Sequence, residues 1–256
     1  IHHNYIENCD PDSIWSSQID DHGIQLESGD NNIVEHNYIK NSSAHSIGVD
    51  YGWTNDSTQN NIIKYNEITA PNVDVIHNTY GIVFEGSHAH LQPDETTGNK
   101  VLYNLVYNHS GKGLSFASCA RTTNSDGYLV VAHNTVYDIV GNSVSIADPF
   151  DGATYDPAVR FFNNIISESD GKLFDHVYNL NHDDWDTIIF KNNIWYDSTS
   201  FVMDWKNINY NGLSTFEAAY GRDMDSISAN PMFMDPENGN FTLQPTSPAI
   251  DAGSIW

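Results

Sequence analysis

A short pattern recurs along the whole chain and constrains its fold more than any other feature: an Asn followed two places later by an apolar residue. The copies begin at Asn4, Asn37, Asn66, Asn104, Asn134, Asn164 and Asn193. The intervals between them are 33, 29, 38, 30, 30 and 29 residues. Self-similarity at such a period is the signature of a repeat architecture, in which each copy is one structural unit stacked on the previous one.

The residues within each copy indicate strands rather than helices. Helical repeats of this length would show apolar residues at a 3.6-residue period. These copies instead contain short runs of Ile, Val, Phe and Tyr separated by Asn, Gly, Ser and Asp, as in "NNIVEHNYIK" and "TIIFKNNIWYD". Two or three short strands in each repeat predict an all-β fold, a right-handed parallel β-helix in which each repeat is one coil. About seven coils are visible over residues 1–205.

The repeated Asn has a specific role in such a fold. Neighbouring coils of a β-helix lie about 4.7–4.9 Å apart, so equivalent positions stack into ladders. An inward Asn at the bend between two strands can pair its side-chain amide with the coils above and below. The alternative is a recurrent surface turn, since Asn also favours turns. Seven copies at one place in the motif favour the ladder.

The last part of the chain, residues 206–256, does not follow the repeat. It contains a helix-like stretch near Phe216–Tyr220 and then Pro-rich turns. Because a solenoid needs a cap over its last coil, this segment is predicted to form the terminal coil and a C-terminal cap. The chain opens at Ile1 within a repeat copy, so we expect a longer or processed protein with any targeting segment upstream.

The composition narrows the classes of partner. The 34 acidic and 10 basic residues give a formal net charge of −24, which repels nucleic acids and anionic membranes and favours cations such as calcium. No apolar run approaches the length of a membrane span. Cys9 and Cys119 are interpreted as two free thiols, with a disulfide as the alternative, and no Cys/His spacing typical of a zinc site occurs.

Two parts of the sequence resemble a known group of proteins. The Asn repeats and the tail "ANPMFMDPENGNFTLQPTSPAIDAG" resemble the C-terminal portion of secreted right-handed parallel β-helix proteins, which include polysaccharide lyases and β-helical glycoside hydrolases. The resemblance implies a secreted, periplasmic or cell-surface location and a polysaccharide substrate. It is carried by fold motifs, so the reaction has to be argued from the site residues.

Two columns of polar residues emerge when the second strand of each repeat is aligned. One column contains the carboxylates of Glu27, Asp50 and Glu85 on consecutive coils. The other contains His22, His45, Tyr80 and Lys112. Carboxylates about 5 Å apart repel each other by on the order of 3 kcal/mol at an effective dielectric constant of 20. Such a column is tolerated where a cation bridges it or where two groups share a proton; a solvated acidic stripe is the plain alternative.

The columns support two enzymatic interpretations. In the first, Glu27, Asp50 and Glu85 bind calcium and the enzyme is a lyase on acidic (uronate) glycans. His45, Tyr80, Lys112 and Arg121 are its candidate catalytic residues. Nearby acids count against Lys112 as the base, which favours His45 or Tyr80, with Arg121 holding substrate. In the second, two of the carboxylates are the catalytic pair of a glycoside hydrolase.

Loops that follow the second strands supply candidate substrate contacts. Flat rings stack on the apolar faces of sugars, and Tyr51 and Trp53 open the loop directly after Asp50. His88 and His90, in "HAH", are further candidates for substrate contact. The interpretation from a different class is a non-catalytic extracellular β-helix, such as an adhesin or fibre subunit. Exposed terminal coils would allow such a protein to self-associate end to end.

Overall fold

The structure is a computed structural model that describes residues 1–9, 22–27, 29–51, 58–71, 79–86, 97–117, 127–147, 158–177, 188–221 and 223–255. The chain winds through three parallel sheets in turn, which we number in the order in which each coil visits them. Successive coils pair in register along each sheet. The predicted all-β parallel β-helix is therefore confirmed.

Sheet 1 contains the strand that follows each repeated Asn. Its members are β1 (Tyr5–Glu7), β4 (Tyr38–Lys40), β7 (Glu67–Ala70), β10 (Leu105–His109), β13 (Thr135–Ile139), β16 (Ile165–Ser169) and β19 (Ile194–Tyr196). Sheet 2 follows it in each coil. Its members are β2 (Ile24–Glu27), β5 (His45–Tyr51), β8 (Tyr80–Gly86), β11 (Lys112–Ala117), β14 (Val144–Ala147), β17 (Phe174–Val177), β20 (Met203–Trp205) and the antiparallel β21 (Ile208–Tyr210).

Sheet 3 completes each coil and leads back to the next Asn. Its members are β3 (Ile33–Glu35), β6 (Ile62–Lys64), β9 (Lys100–Leu102), β12 (Leu129–Ala132), β15 (Val159–Phe162), β18 (Ile188–Lys191) and β22 (Asp223–Met224). The β-branched and aromatic residues that predicted strands fill the interior between the three sheets. Toward the end of the solenoid this core becomes aromatic, with Phe174, Phe190 and Trp195 fully buried.

The Asn ladder lies at the bend from sheet 3 to sheet 1, as predicted. Each side-chain amide donates to the side-chain oxygen of the Asn in the next coil, at 2.8–3.1 Å from Asn4 through to Asn193. The backbone N–H of each Asn also donates to that same oxygen, as Asn104 does to Asn134 at 2.9 Å. Polar groups that the bend would otherwise leave buried and unpaired are thus satisfied from coil to coil.

The residue before each ladder Asn has a left-handed backbone conformation, with φ between 54° and 58°. In five consecutive coils this residue is aromatic, and the rings stack at centroid distances of 4.6–5.2 Å. The stack consists of His3, His36, Tyr65, Tyr103 and His133. A left-handed non-glycine residue costs on the order of 1–2 kcal/mol, and the ladder and the ring contacts offset this cost at each bend.

The segment predicted as terminal coil and cap divides into two parts. Helix α1 (Leu213–Tyr220) packs against β20 and β22 and places Phe216 over the aromatic end of the core. The remaining chain turns back along the side of the solenoid. It forms the hairpin of β23 (Phe233–Asp235) and β24 (Asn240–Leu243), joined by a 3-10 turn at Pro236–Asn238.

That C-terminal hairpin covers the outer face of sheet 1. The ring of Phe241 contacts those of Tyr107 and Tyr137 at centroid distances of 5.0 and 5.5 Å. Farther on, the side-chain amide of Asn163 donates to the carbonyl of Ser254 and accepts from its N–H, each at 3.0 Å. The tail is therefore held on the solenoid by aromatic packing and by paired hydrogen bonds.

Two histidines, His109 and His176, are buried. Burial lowers the pKa of His176 to about 3, with a further contribution from the charge of Lys206. Burial, and then the charge of His45, lower the pKa of His109 to about 4. Both pKa values lie below the ordinary value of 6.5. As the pH falls below 6.5, the unfolded chain therefore protonates these rings while the native state still keeps them neutral. Their contribution to stability is complete above pH 6.5 and is lost as the pH falls.

Replacing His176 by Ile is expected to flatten the acid loss of stability. Its register partner in the preceding coil is Ile146, so an apolar side chain suits this column. At pH 4.5 the contribution of His176 should make the free energy of unfolding of the wild type about 2–3 kcal/mol lower than at neutral pH. Urea unfolding at a series of pH values checks this, with wild type and His176→Ile compared. Identical pH slopes for the two proteins would contradict the assignment.

Candidate functional site on sheet 2

The carboxylate column is formed by the strand register of sheet 2. Glu27 pairs with Asp50, and Asp50 pairs with Glu85, on consecutive coils. In β2 the side chains alternate, with Ile24 and Leu26 buried and Glu27 exposed, so this column lies on the outer face. Asp50 is half-buried. The side chain of Glu85 lies outside the described residues, although its backbone position in the column is described.

The second predicted column is also assembled on this sheet. His45 pairs with Tyr80, and Tyr80 pairs with Lys112. The rings of His22 and His45 lie 4.6 Å apart between centroids, and those of His45 and Tyr80 lie 4.9 Å apart. The Lys112 ammonium lies 5.3 Å from the centroid of the Tyr80 ring, a cation–π contact. A base candidate, a hydroxyl and a cation therefore follow one another on three coils.

Lys112 differs from most other lysines of the described chain. Lys40, Lys64, Lys172 and Lys191 each lie within 4.0 Å of a carboxylate. Within the ranges that the structure describes, Lys112 has no carboxylate within that distance. In a chain with a net charge of −24, this leaves a cation beside Tyr80 that can accept an anionic group of a ligand.

Other predicted site residues fall where the structure gives no description. Tyr51 ends β5 and pairs with Gly86, but its side chain is outside the described residues. Trp53, His88, His90 and Arg121 lie wholly outside them, as does Cys119, so their predicted roles stay predictions. Among the described residues, no group of three or more His, Cys, Asp or Glu side chains is placed to hold a metal ion.

Sequence reasoning missed an ionic network farther along the same face. Lys172 donates to Asp175 at 2.7 Å and to Asp204 at 3.0 Å, and the side chain of Asn142 donates to Asp175 at 2.8 Å. Burial alone would lower the pKa of Lys172, but the hydrogen bonds to the two carboxylates outweigh it and raise that pKa. The signal was present in the spacing, since Lys112, Asn142 and Lys172 follow at intervals of 30 residues.

Comparison with known proteins gives little functional information. No family model and no solved structure matches the sequence significantly. An uncharacterized protein of Bacillus subtilis (strain 168), YwoF, is 25% identical over 197 residues, which are 72% of this chain and 38% of that protein. The chain thus spans well under half the length of this relative. No helix among the described residues has the length and apolarity needed to cross a membrane.

Proposed function

We propose that this protein is an extracellular polysaccharide-processing enzyme, a calcium-assisted lyase that cleaves acidic (uronate) glycans on the outer face of sheet 2. One observation supports this most strongly: a carboxylate column and a column of basic and phenolic side chains run along the same sheet. The first column consists of Glu27, Asp50 and Glu85, and the second consists of His45, Tyr80 and Lys112. A β-helix suits a polymeric substrate because its long sheet offers equivalent positions on successive coils.

Calcium suits the carboxylate column by donor chemistry and by spacing. Glu27 and Asp50 offer carboxylate oxygens, the ligands that calcium prefers, on coils about 4.8 Å apart. Glu85 would complete a three-carboxylate site. These residues would hold the ion, which would offset their mutual repulsion. When bound, calcium would neutralise the carboxylate of a uronate unit farther along the polymer from the reacting one, because Asp50 lies five residues along the strand from His45, about 16 Å.

Lys112 supplies the contact for the carboxylate of the reacting uronate unit. A uronate polymer is a polyanion, and the net charge of −24 opposes its approach. A cation without a carboxylate partner among the described residues can form a charge-assisted hydrogen bond to the uronate group. This contact would orient the sugar ring over Tyr80 and His45.

The reaction then requires one base and one acid. His45 takes the proton from C5 of the uronate, and the electron pair of that C–H bond forms a C4=C5 double bond. The bond from C4 to the leaving glycosidic oxygen breaks, and the Tyr80 hydroxyl gives that oxygen its proton. Transfer of the proton from His45 to the Tyr80 phenolate, across rings 4.9 Å apart between centroids, restores both groups.

A second candidate function is glycoside hydrolysis, favoured by the spacing of the carboxylates themselves. Glu27 and Asp50 are register partners on neighbouring coils, and a separation of about 5 Å is that of the two carboxyl groups in retaining enzymes. In that case one carboxylate would be the nucleophile and the other the general acid. The non-catalytic extracellular β-helix is the third candidate and needs neither group.

The test is product formation from a panel of uronate and neutral polysaccharides, assayed with calcium and with a chelator. We expect unsaturated uronate absorbance on uronate polymers, lost with chelator and restored by added calcium. New reducing ends without that absorbance would replace the lyase with the hydrolase. No product from any substrate would overturn both enzymatic proposals and favour the non-catalytic protein.

A further inference from the structure

A cavity lies away from sheet 2, between sheet 1 and the C-terminal hairpin. It has a volume of about 260 Å³. Its wall includes Tyr137, Ser167 and Glu168 from the solenoid, and Asn230, Phe233 and Gln244 from the tail. The cavity therefore exists only because the tail folds back along the coils, and it does not depend on the proposed lyase site.

Several polar side chains at this cavity are held in place by hydrogen bonds within the protein and can still form further hydrogen bonds. The Gln244 amide donates to the carbonyl of Phe233 at 3.1 Å, which leaves its oxygen as an acceptor. The Asn230 oxygen accepts from the N–H of Met232 at 2.7 Å, which leaves its amide as a donor. The orientation of both groups is thus set before any ligand arrives, which lowers the cost of binding.

Ser167 and Glu168 provide the other groups that can hydrogen-bond a ligand. Ser167 is 1% exposed, and its hydroxyl has no hydrogen-bond partner among the described residues, although it lines the cavity. Because this hydroxyl lines the cavity, a ligand there can hydrogen-bond it in place of solvent. One carboxylate oxygen of Glu168 accepts from the N–H and hydroxyl of Ser198, at 3.1 and 2.8 Å. The other oxygen has no partner within the described chain.

The surroundings of the cavity are strongly negative. Tyr137 donates to the carboxylate of Glu237 at 3.2 Å. Asp138 stands beside them, and its pKa is raised by burial and by the charges of Glu237, Asp170 and Glu168. A carboxylate on a ligand would add to this repulsion, whereas an ammonium group would relieve it. The rings of Tyr137 and Phe233 offer apolar surface for the C–H face of a sugar.

We propose that this cavity binds one amine-bearing sugar ring, a hexosamine, with its ammonium group at Glu168 and its hydroxyls at Ser167, Asn230 and Gln244. The set of remaining polar atoms consists mainly of acceptors, which matches a ligand rich in O–H and N–H donors. The site would be a glycan-binding subsite separate from sheet 2, and it excludes the uronates that the lyase site is proposed to take.

Isotope-labelled protein titrated with glucosamine tests this directly. The side-chain amide signals of Asn230 and Gln244 act as reporters inside the cavity and do not depend on catalytic activity. At slightly acidic pH we expect both signals to shift and saturate in the millimolar range with glucosamine. Glucose should bind about tenfold more weakly, which corresponds to about 1.4 kcal/mol, and glucuronate should cause no shift at these signals.

Matched variants separate the charge of the site from its shape. Glu168→Gln keeps an oxygen for Ser198 but removes the charge, and should weaken glucosamine about tenfold. Glu217→Gln, on helix α1, should leave the affinity unchanged. Absence of any shift with glucosamine, equal binding of glucuronate or glucose, or an unchanged affinity in Glu168→Gln would each overturn the proposal. Folding of the variants is checked by the undisturbed backbone signals of sheets 2 and 3.

Discussion

Replacing Asn104 by Ala should lower the free energy of unfolding by about 3–5 kcal/mol, as measured by urea or thermal unfolding. Asn104 lies in the middle of the buried Asn ladder. Its oxygen accepts from the backbone N–H and the side-chain amide of Asn66, at 3.1 and 3.0 Å, and its amide donates to the carbonyl of Ile63 at 2.9 Å. The substitution leaves at least two buried polar groups without partners, and each costs about 1–3 kcal/mol.

The same substitution at the exposed end of the ladder provides the control. Asn4 donates to Asn37 at 2.8 Å, but it is exposed, so water can replace its contacts. Asn4→Ala should cost no more than about 1 kcal/mol. Asn104→Asp sharpens the comparison because it keeps the acceptor oxygens and removes the donor. Equal losses for Asn4→Ala and Asn104→Ala would contradict the ladder as a main source of stability.

The ladder also explains why the fold was predictable from the sequence. Each coil needs one Asn at a fixed place, so the periodicity of a single residue type reports the stacking of the whole solenoid. A second ladder was missed, in which Asn32 donates to Asn61 at 3.0 Å and the N–H of Asn61 donates to Asn99 at 2.9 Å. The pairs "NN" at 31–32 and 60–61 carried its signal. It spans too few coils to stand out as a period.

The neighbours within each predicted column followed from register for the same reason. Once strands are aligned, residues at equal offsets must neighbour one another, and so His45, Tyr80 and Lys112 were placed together correctly. The cavity lined by Ser167 could not be predicted from strand register. It arises where Phe233 and Phe241 dock on Tyr137, a tertiary contact between segments about 100 residues apart that no local pattern encodes.

Replacing Tyr80 by Phe should reduce kcat by about 100- to 10,000-fold on the uronate polymer that the wild type cleaves, with KM little changed. The ring is retained, and with it the contacts to His45 at 4.9 Å and to Lys112 at 5.3 Å, so the column should keep its geometry. Only the hydroxyl that we propose as the proton donor to the leaving oxygen is lost. Proton transfer by a positioned side chain contributes a factor of about this size.

The matched control is Tyr103→Phe, which removes a hydroxyl from another stacked ring of the solenoid. Tyr103 stacks on Tyr65 and His133 at the bend from sheet 3 to sheet 1 and is 45% exposed, so kcat should be unchanged. Steady-state kinetics of both variants, with wild-type unfolding curves as the check on folding, decides the matter. If kcat of Tyr80→Phe stays within about threefold of wild type, Tyr80 is not the acid. The proton for the leaving oxygen must then come from another group or from water.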